Sequence, residues 1–245
     1  MKRLEVCGLH CGYGDKPLLR DVSFSLAPGE ALSIVGANGT GKSTLLATLS
    51  GALHPLSGEI WLGGERLERV PARVRAQRMT LLLQQQPLDP GIRVRELVAL
   101  GRTPWWRGLR GMSPADWEQV DAAIEMCDLV ALADRPVGAI SGGERQRARL
   151  AMVVAQNTGL ILLDEPTNHL DVAHRFMLHR VVENLRTARQ TTVISVLHAL
   201  EDARRYAPRM LYLHGGTATC YEQSDYERLR EHIVAAADVP PEWVY

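Results

Sequence analysis

The run Gly36-Ala37-Asn38-Gly39-Thr40-Gly41-Lys42-Ser43-Thr44 constrains the fold more than any other stretch of this chain. It fits G-x-x-x-x-G-K-[ST], a loop that wraps phosphate groups, and that pattern carries weight only between a strand and a helix. Both flanks are present. The apolar run Ala31-Leu32-Ser33-Ile34-Val35 precedes it, and Leu45-Leu46-Ala47-Thr48-Leu49 follows. Glycines let the backbone curl so that successive N–H groups and a helix N-terminus aim at one anion. Lys42 adds a point charge for β- and γ-phosphates, and Ser43 a hydroxyl suited to Mg²⁺. The expectation is a nucleoside triphosphate site.

Composition narrows the rest. The chain of 245 residues is 46% apolar and 23% charged, an ordinary globular make-up with room for a well-buried core. Lysine plus arginine equals aspartate plus glutamate, 28 each, so no bulk charge points to nucleic acid or an anionic surface as partner. The first residues lack the apolar centre of a signal peptide, and no stretch reaches the length of a spanning helix. Four scattered cysteines make no zinc pattern, and free thiols in a reducing compartment, the cytoplasm, are expected.

Short strand-like segments at residues 4–9, 22–26, 31–35 and 58–62 are punctuated by Gly12-Tyr13-Gly14-Asp15 and Ala27-Pro28-Gly29-Glu30. From Val94 the pattern turns helical. Ser113-Pro114 reads as a cap and first helical position, and the helix after it puts Trp117, Val120, Ile124 and Cys127 on one face. Apolar strands then return at 160–163, 191–197 and 209–213. Leu178, Val181, Val182 and Leu185 stripe a helix between the first two, and 226–236 forms a last helix. Continuous apolar strands separated by helices predict an α/β fold with a mostly parallel sheet covered on both faces.

Leu160-Ile161-Leu162-Leu163-Asp164-Glu165 supplies hydrolytic chemistry. Two carboxylates emerge at the C-terminal end of a buried strand, where open α/β sheets bind ligands. Asp164 suits Mg²⁺ and Glu165 a general base on water. Between the two halves lies Ile140-Ser141-Gly142-Gly143-Glu144-Arg145-Gln146-Arg147, whose Ser-Gly-Gly opens a second helix with anion-binding character.

That stretch resembles the signature sequence of ABC transporter ATPases, usually Leu-Ser-Gly-Gly-Gln, and its order relative to Lys42 and Glu165 is that of the family. The resemblance covers nearly all the chain, to about Tyr221. It implies a P-loop NTPase of ABC ATPase type: a RecA-like core with an N-terminal antiparallel β subdomain and an inserted helical subdomain. The implied limits are a core of about 1–83 and 158–221, a helical subdomain of about 84–157 and a C-terminal helix of about 224–238. It also implies a head-to-tail homodimer in which each ATP lies between the first loop of one copy and Ser141, Gly142, Gly143 and Glu144 of the other. Tyr13 then matches the residue that stacks on adenine, and Gln84 the glutamine touching Mg²⁺ and the attacking water. Gln85 and Gln86 leave that register open to a slip of one. Asn168-His169-Leu170-Asp171 matches the loop crossing the dimer interface, with Asp171 its key residue, and His198 the histidine at the γ-phosphate. Thr40, Glu144 and Ala199 depart from the commonest residues at their positions.

Residues 94–105, ending in Gly101-Arg102-Thr103-Pro104-Trp105, resemble the same stretch in importers of iron–siderophore, haem or vitamin B12. The resemblance implies an ATP-hydrolysing importer subunit using Mg²⁺ and ATP. It would lie on the cytoplasmic face of a bacterial inner membrane, against two permease subunits and, through them, an extracytoplasmic substrate-binding protein. Trp105 and Trp106, flanked by Arg102 and Arg107, read equally as a permease docking patch or as core plugs. Zinc, manganese or amino-acid import, or a non-transport role on DNA or ribosomes, stay open as alternatives. The region after His198 is expected to hold no added regulatory domain.

Overall fold

Alternation of apolar and polar residues makes β1 (Leu4–Tyr13) a strand with one buried face, and it pairs antiparallel with β2 (Lys16–Leu26). This is a computed structural model, and it describes residues 2–83, 88–106, 111–167 and 171–237. On its other side β1 meets β4 (Ser57–Leu62), and β5 (Glu65–Arg66) completes a four-stranded sheet ordered β2-β1-β4-β5. Both hairpin strands run longer than their apolar segments. The polar residues Lys16, Arg20 and Asp21 sit on an edge strand and face solvent, and Arg20 with Asp21, the latter at φ 52°, forms a bulge between the Leu9–Val22 and Cys11–Leu19 pairs. Pro17 is tolerated there because an edge strand can spare an N–H.

The second sheet has six strands in the order β10-β9-β3-β8-β7-β6. β3 (Ala31–Val35), β6 (Met79–Leu82), β7 (Leu160–Asp164), β8 (Thr192–Val196) and β9 (Arg209–His214) pair parallel with one another. Every residue of β3, β7 and β8 is buried, which is why they read as unbroken apolar runs. β10 (Thr217–Glu222) folds back antiparallel on β9. The sequence reading missed it because only Tyr221 of its six residues is buried, so no apolar run marks it. Its signal was the Gly215-Gly216 pair, both at positive φ, the backbone of a two-residue hairpin turn.

Two cores cover the large sheet. One lies between the sheets around α1 (Lys42–Leu49), where Leu45, Leu46 and Leu49 meet Leu9, Leu26, Ile34, Leu162 and Val196. The other lies on the opposite face, under α6 (Val172–Arg189), α7 (Leu200–Tyr206) and α8 (Tyr226–Ala237). It is continuous with the interior of the helical region formed by α3 (Val94–Leu100), α4 (Pro114–Met126) and α5 (Gly142–Gln156). A further short helix, α2 (Ala72–Arg78), buries no residue and so left no apolar stripe in the sequence. Among the described residues no helix is long and apolar enough to cross a membrane.

Helix α4 starts as expected. Ser113 Oγ accepts from the Asp116 N–H at 3.2 Å, and Asp116 Oδ2 accepts from the Ser113 N–H at 2.9 Å. Val120, Ile124 and Cys127 are buried, but Trp117 is 40% exposed, with the Arg95 guanidinium 5.6 Å above its ring. The inward position belongs instead to Asp116, one helical turn before Val120. Arg102 reaches Asp116 Oδ1 through Nε at 3.0 Å and Nη2 at 2.8 Å, and a buried ion pair replaces the expected aromatic contact.

Candidate active site

β3 ends at Val35 and the chain enters the glycine loop through Gly36, at φ 153°. A Cβ there would stand 2.6 Å from the Leu213 carbonyl oxygen on β9, so only glycine lets the loop leave the sheet at this point. Lys42, the first residue of α1, turns its Nζ back onto the loop and donates to the Gly36 and Ala37 carbonyls at 2.7 and 2.9 Å. Thr40 Oγ1 also donates to the Ala37 carbonyl, at 2.9 Å, so its extra bulk fastens the loop to itself. Burial lowers the Lys42 pKa, against the opposing pull of Glu165 and Asp164. A desolvated ammonium held over a loop of backbone dipoles is the donor set for a polyphosphate.

β7 brings the carboxylates to the same place. Ser43 Oγ lies 3.4 Å from Asp164 Oδ1. Burial pushes the Asp164 carboxyl up and the charge of Glu165 adds to that, while Ser43, Lys42 and His198 pull the other way. A divalent cation fits here on the chemistry of the donors: two hard oxygens, one on a carboxylate whose desolvation such a charge would relieve. Glu165 takes a left-handed backbone, φ 50°, and its N–H still bonds the Val196 carbonyl at 3.2 Å. That turn sends the side chain across the strand end to His198, whose Nε2 is 2.5 Å from Glu165 Oε1. Strain in a non-glycine left-handed residue beside reactive groups marks a position held for chemistry.

The third group faces outward. Ser141 caps α5: its Oγ accepts from the Glu144 N–H at 3.3 Å and its own N–H donates to Glu144 Oε2 at 2.7 Å. Those hydrogen bonds from the Ser141 backbone and side chain hold the Glu144 carboxyl below its usual pKa. Glu144 therefore completes a capping box as glutamine would. Asp171 caps α6 and accepts from the His174 N–H at 2.9 Å. The Asp171 carboxyl is lowered in turn by the backbone N–H and ring of His174. Ser141, Gly142 and Asp171 are exposed. One chain thus carries a phosphate loop with its carboxylates and, separately, an exposed helix start.

A match to the ABC transporter family spans residues 19–168, from the second strand through the phosphate loop, the Ser141 helix and both carboxylates. The chain belongs to the ABC transporter ATP-binding family. It is 35% identical over 217 residues to the iron(3+)-hydroxamate import ATP-binding protein FhuC of Bacillus subtilis (strain 168), covering 89% of this chain and 81% of that one. It is 39% identical to the ferric enterobactin transport ATP-binding protein FepC of Escherichia coli (strain K12), covering 85% and 77%. With the hemin import ATP-binding protein HmuV of Pseudomonas fluorescens (strain Pf0-1) identity is 43%, over 87% and 84%. Among solved structures, an inward-facing ABC transporter assigned to the metal-chelate type superposes with a TM-score of 0.85 at 27% identity, covering 98% of this chain and 90% of its own. The dimeric ATP-binding cassette MJ0796 bound to ADP and Pi does so at 0.78 and 25% identity, covering 90% and 98%.

Within this ABC fold the remaining expected residues separate. Tyr13 ends β1 with 62% of its surface exposed, and Leu19 of the partnering strand comes within 3.2 Å of where a Gly41 side chain would begin, so the hairpin borders the loop. Gln84, like Gln85 and Gln86, lies outside the described residues, as do Asn168, His169, Leu170 and Arg107. Arg102 is buried rather than offered to a partner. Its Nη1 donates to the Ala155 carbonyl at 2.8 Å, and its guanidinium stacks 5.1 Å from the Trp105 ring centre. Trp105 Nε1 donates to the Gln156 carbonyl at 2.8 Å. This pair packs against the end of α5, and Trp105, half-buried, also lines a cavity with Arg73 and Gln77, so these bonds anchor the ring without covering it. The sequence reading missed His174. Its only local sign was its place three residues after a capping aspartate.

Proposed function

We propose that this chain is the ATP-hydrolysing subunit of an importer of the metal-chelate class, an iron–siderophore or haem system, working as a pair with two permease subunits. The chelate class is supported by three relatives whose names are all iron-chelate or haem importers. The peripheral placement on the cytoplasmic face follows from such partners. An extracytoplasmic binding protein would deliver the cargo through the permease.

The observation that carries the hydrolytic reading is the meeting of Lys42, Ser43, Asp164, Glu165 and His198 at the C-terminal ends of β3, β7 and β8. On this reading the loop N–H groups from Gly36 to Thr44 and the Lys42 ammonium bind the β- and γ-phosphates, exchanging the loop carbonyls for phosphate oxygens. Ser43 and Asp164, with Gln84 on the family pattern, would hold Mg²⁺, which would supply charge neutralisation to the phosphate oxygens. Glu165 takes the proton of the attacking water, and His198 holds that carboxylate in place. Tyr13 offers its ring to adenine. Ser141, Gly142, Gly143 and Glu144 of the other copy close over the γ-phosphate, with Asp171 at the crossing. The cavity of about 550 Å³ beside Arg73, Gln77 and Trp105 is the proposed seat for a permease helix.

Glu165→Gln tests the assignment. Phosphate release with Mg-ATP is expected to fall by about 10²–10⁴-fold, while the ATP-bound pair accumulates in sedimentation. Phosphate release at the parent rate would overturn it. Uptake of labelled ferric siderophore, compared with zinc uptake, in cells carrying this variant tests the cargo class.

A further inference from the structure

One side chain joins the two parts of the outward-facing edge, and the reaction has not yet used it. His174 stands on the first turn of α6, three residues after Asp171. Its Nδ1 lies 2.7 Å from Asp171 Oδ1, the same oxygen that accepts from the His174 N–H. The distal part of its ring rests on α5. A Cβ built on Gly143 would stand 2.5 Å from Nε2, 2.7 Å from Cε1 and 2.8 Å from Cδ2. Gly143 has an ordinary helical backbone, so a side chain there would meet no strain in φ but would have to push this ring off α5. Beneath the contact, Leu82, Leu150 and Leu178 line a small cavity, so the ring sits on core shared by β6, α5 and α6.

We propose that His174 is a positioning residue for the dimer: it braces the Gly143 turn against Asp171, so that both reach the other copy in one register. The inference rests on the functional reading above. Ser141 and Asp171 are both exposed, and the Asp171 side chain is 67% so. Each would otherwise have to be ordered on association, at a cost that pre-organisation removes. In a two-fold pair the brace occurs twice, which doubles its effect per dimer.

The test uses the Glu165→Gln parent with Mg-ATP, reading the monomer–dimer midpoint by sedimentation. His174→Ala is expected to raise the midpoint concentration roughly tenfold, through two freed edges per pair. Affinity of the monomer for a fluorescent ATP analogue should stay within about twofold, because the phosphate loop is untouched. His174→Asn keeps a donor for Asp171 but withdraws from Gly143, and should fall between the two. An unchanged midpoint in His174→Ala overturns the inference. So does a shift matched by an equal loss of analogue affinity, which would mean general damage to the fold. If the Glu165→Gln parent forms no ATP-dependent dimer, the functional reading fails and takes this inference with it. A dimer of equal midpoint in both chains sinks the brace alone.

Discussion

Asp164 shows how a single residue can be arranged for ligand at the expense of the free fold. Burial raises its carboxyl pKa, so the ionised form present at neutral pH is disfavoured by folding. A raised folded pKa gives stability that is full below the unfolded value and is lost as pH rises through the folded one. Asp164→Asn should therefore raise the Tm of the ligand-free chain at pH 7 by about 2–4 °C. The gain should shrink on acidification toward the unfolded carboxylate pKa of about 4, and Mg-dependent ATP turnover should disappear. Scanning calorimetry across pH beside a phosphate-release assay checks both, and a Tm unchanged at pH 7 would contradict it. Residues of this kind were legible in the sequence because they fall in contiguous runs, as Lys42 and Ser43 do, or follow an apolar strand, as Glu165 and His198 do. His174 was not legible, since its contact with Gly143 exists only once α5 and α6 pack.

Elements that bury a stripe announce themselves, and those that do not remain silent. α4 was readable from Ser113-Pro114 and Val120, Ile124 and Cys127, whereas α2, which buries no residue completely, and mostly exposed β10 were not. What fastens α4 to α5 was hidden as well: the Arg102–Asp116 pair, with side chains only 8% and 10% exposed. Burial works against Asp116 ionisation, but the Ser113 hydroxyl and N–H and the Arg102 guanidinium outweigh it and hold the carboxyl below its usual pKa. Removing one partner of a buried pair leaves the other uncompensated. Arg102→Leu should cost about 3–5 kcal/mol in urea unfolding, and Ser113→Ala about 1 kcal/mol. A depressed folded pKa gives stability that is present above the unfolded value and lost as pH falls through the folded one. This pair should therefore weaken only in acid, below about pH 4. A loss under 1 kcal/mol for Arg102→Leu would show that the pair carries little of the α4–α5 contact.

At the scale of the molecule, one chain carries two separate groups of candidate residues. The phosphate loop, its carboxylates and His198 gather at one end of the parallel sheet, and the Ser141 turn and Asp171 stand exposed. The parallel core was legible from its apolar strands, but the extent of the N-terminal sheet was not. Polar edge residues 16–21 conceal a strand that turn residues appeared to end. If two copies complete each other as proposed, mixing two disabled chains shows it most directly. Lys42→Ala spoils the loop and Ser141→Arg spoils the edge, so each alone should be nearly inactive. Mixed in equal amounts, half the pairs join one chain of each kind, and each such pair holds one site built wholly from intact halves. ATP turnover should then return to about a quarter of the unaltered rate. No recovery on mixing, or full activity of Ser141→Arg alone, would contradict the claim that the two halves of the site come from different copies.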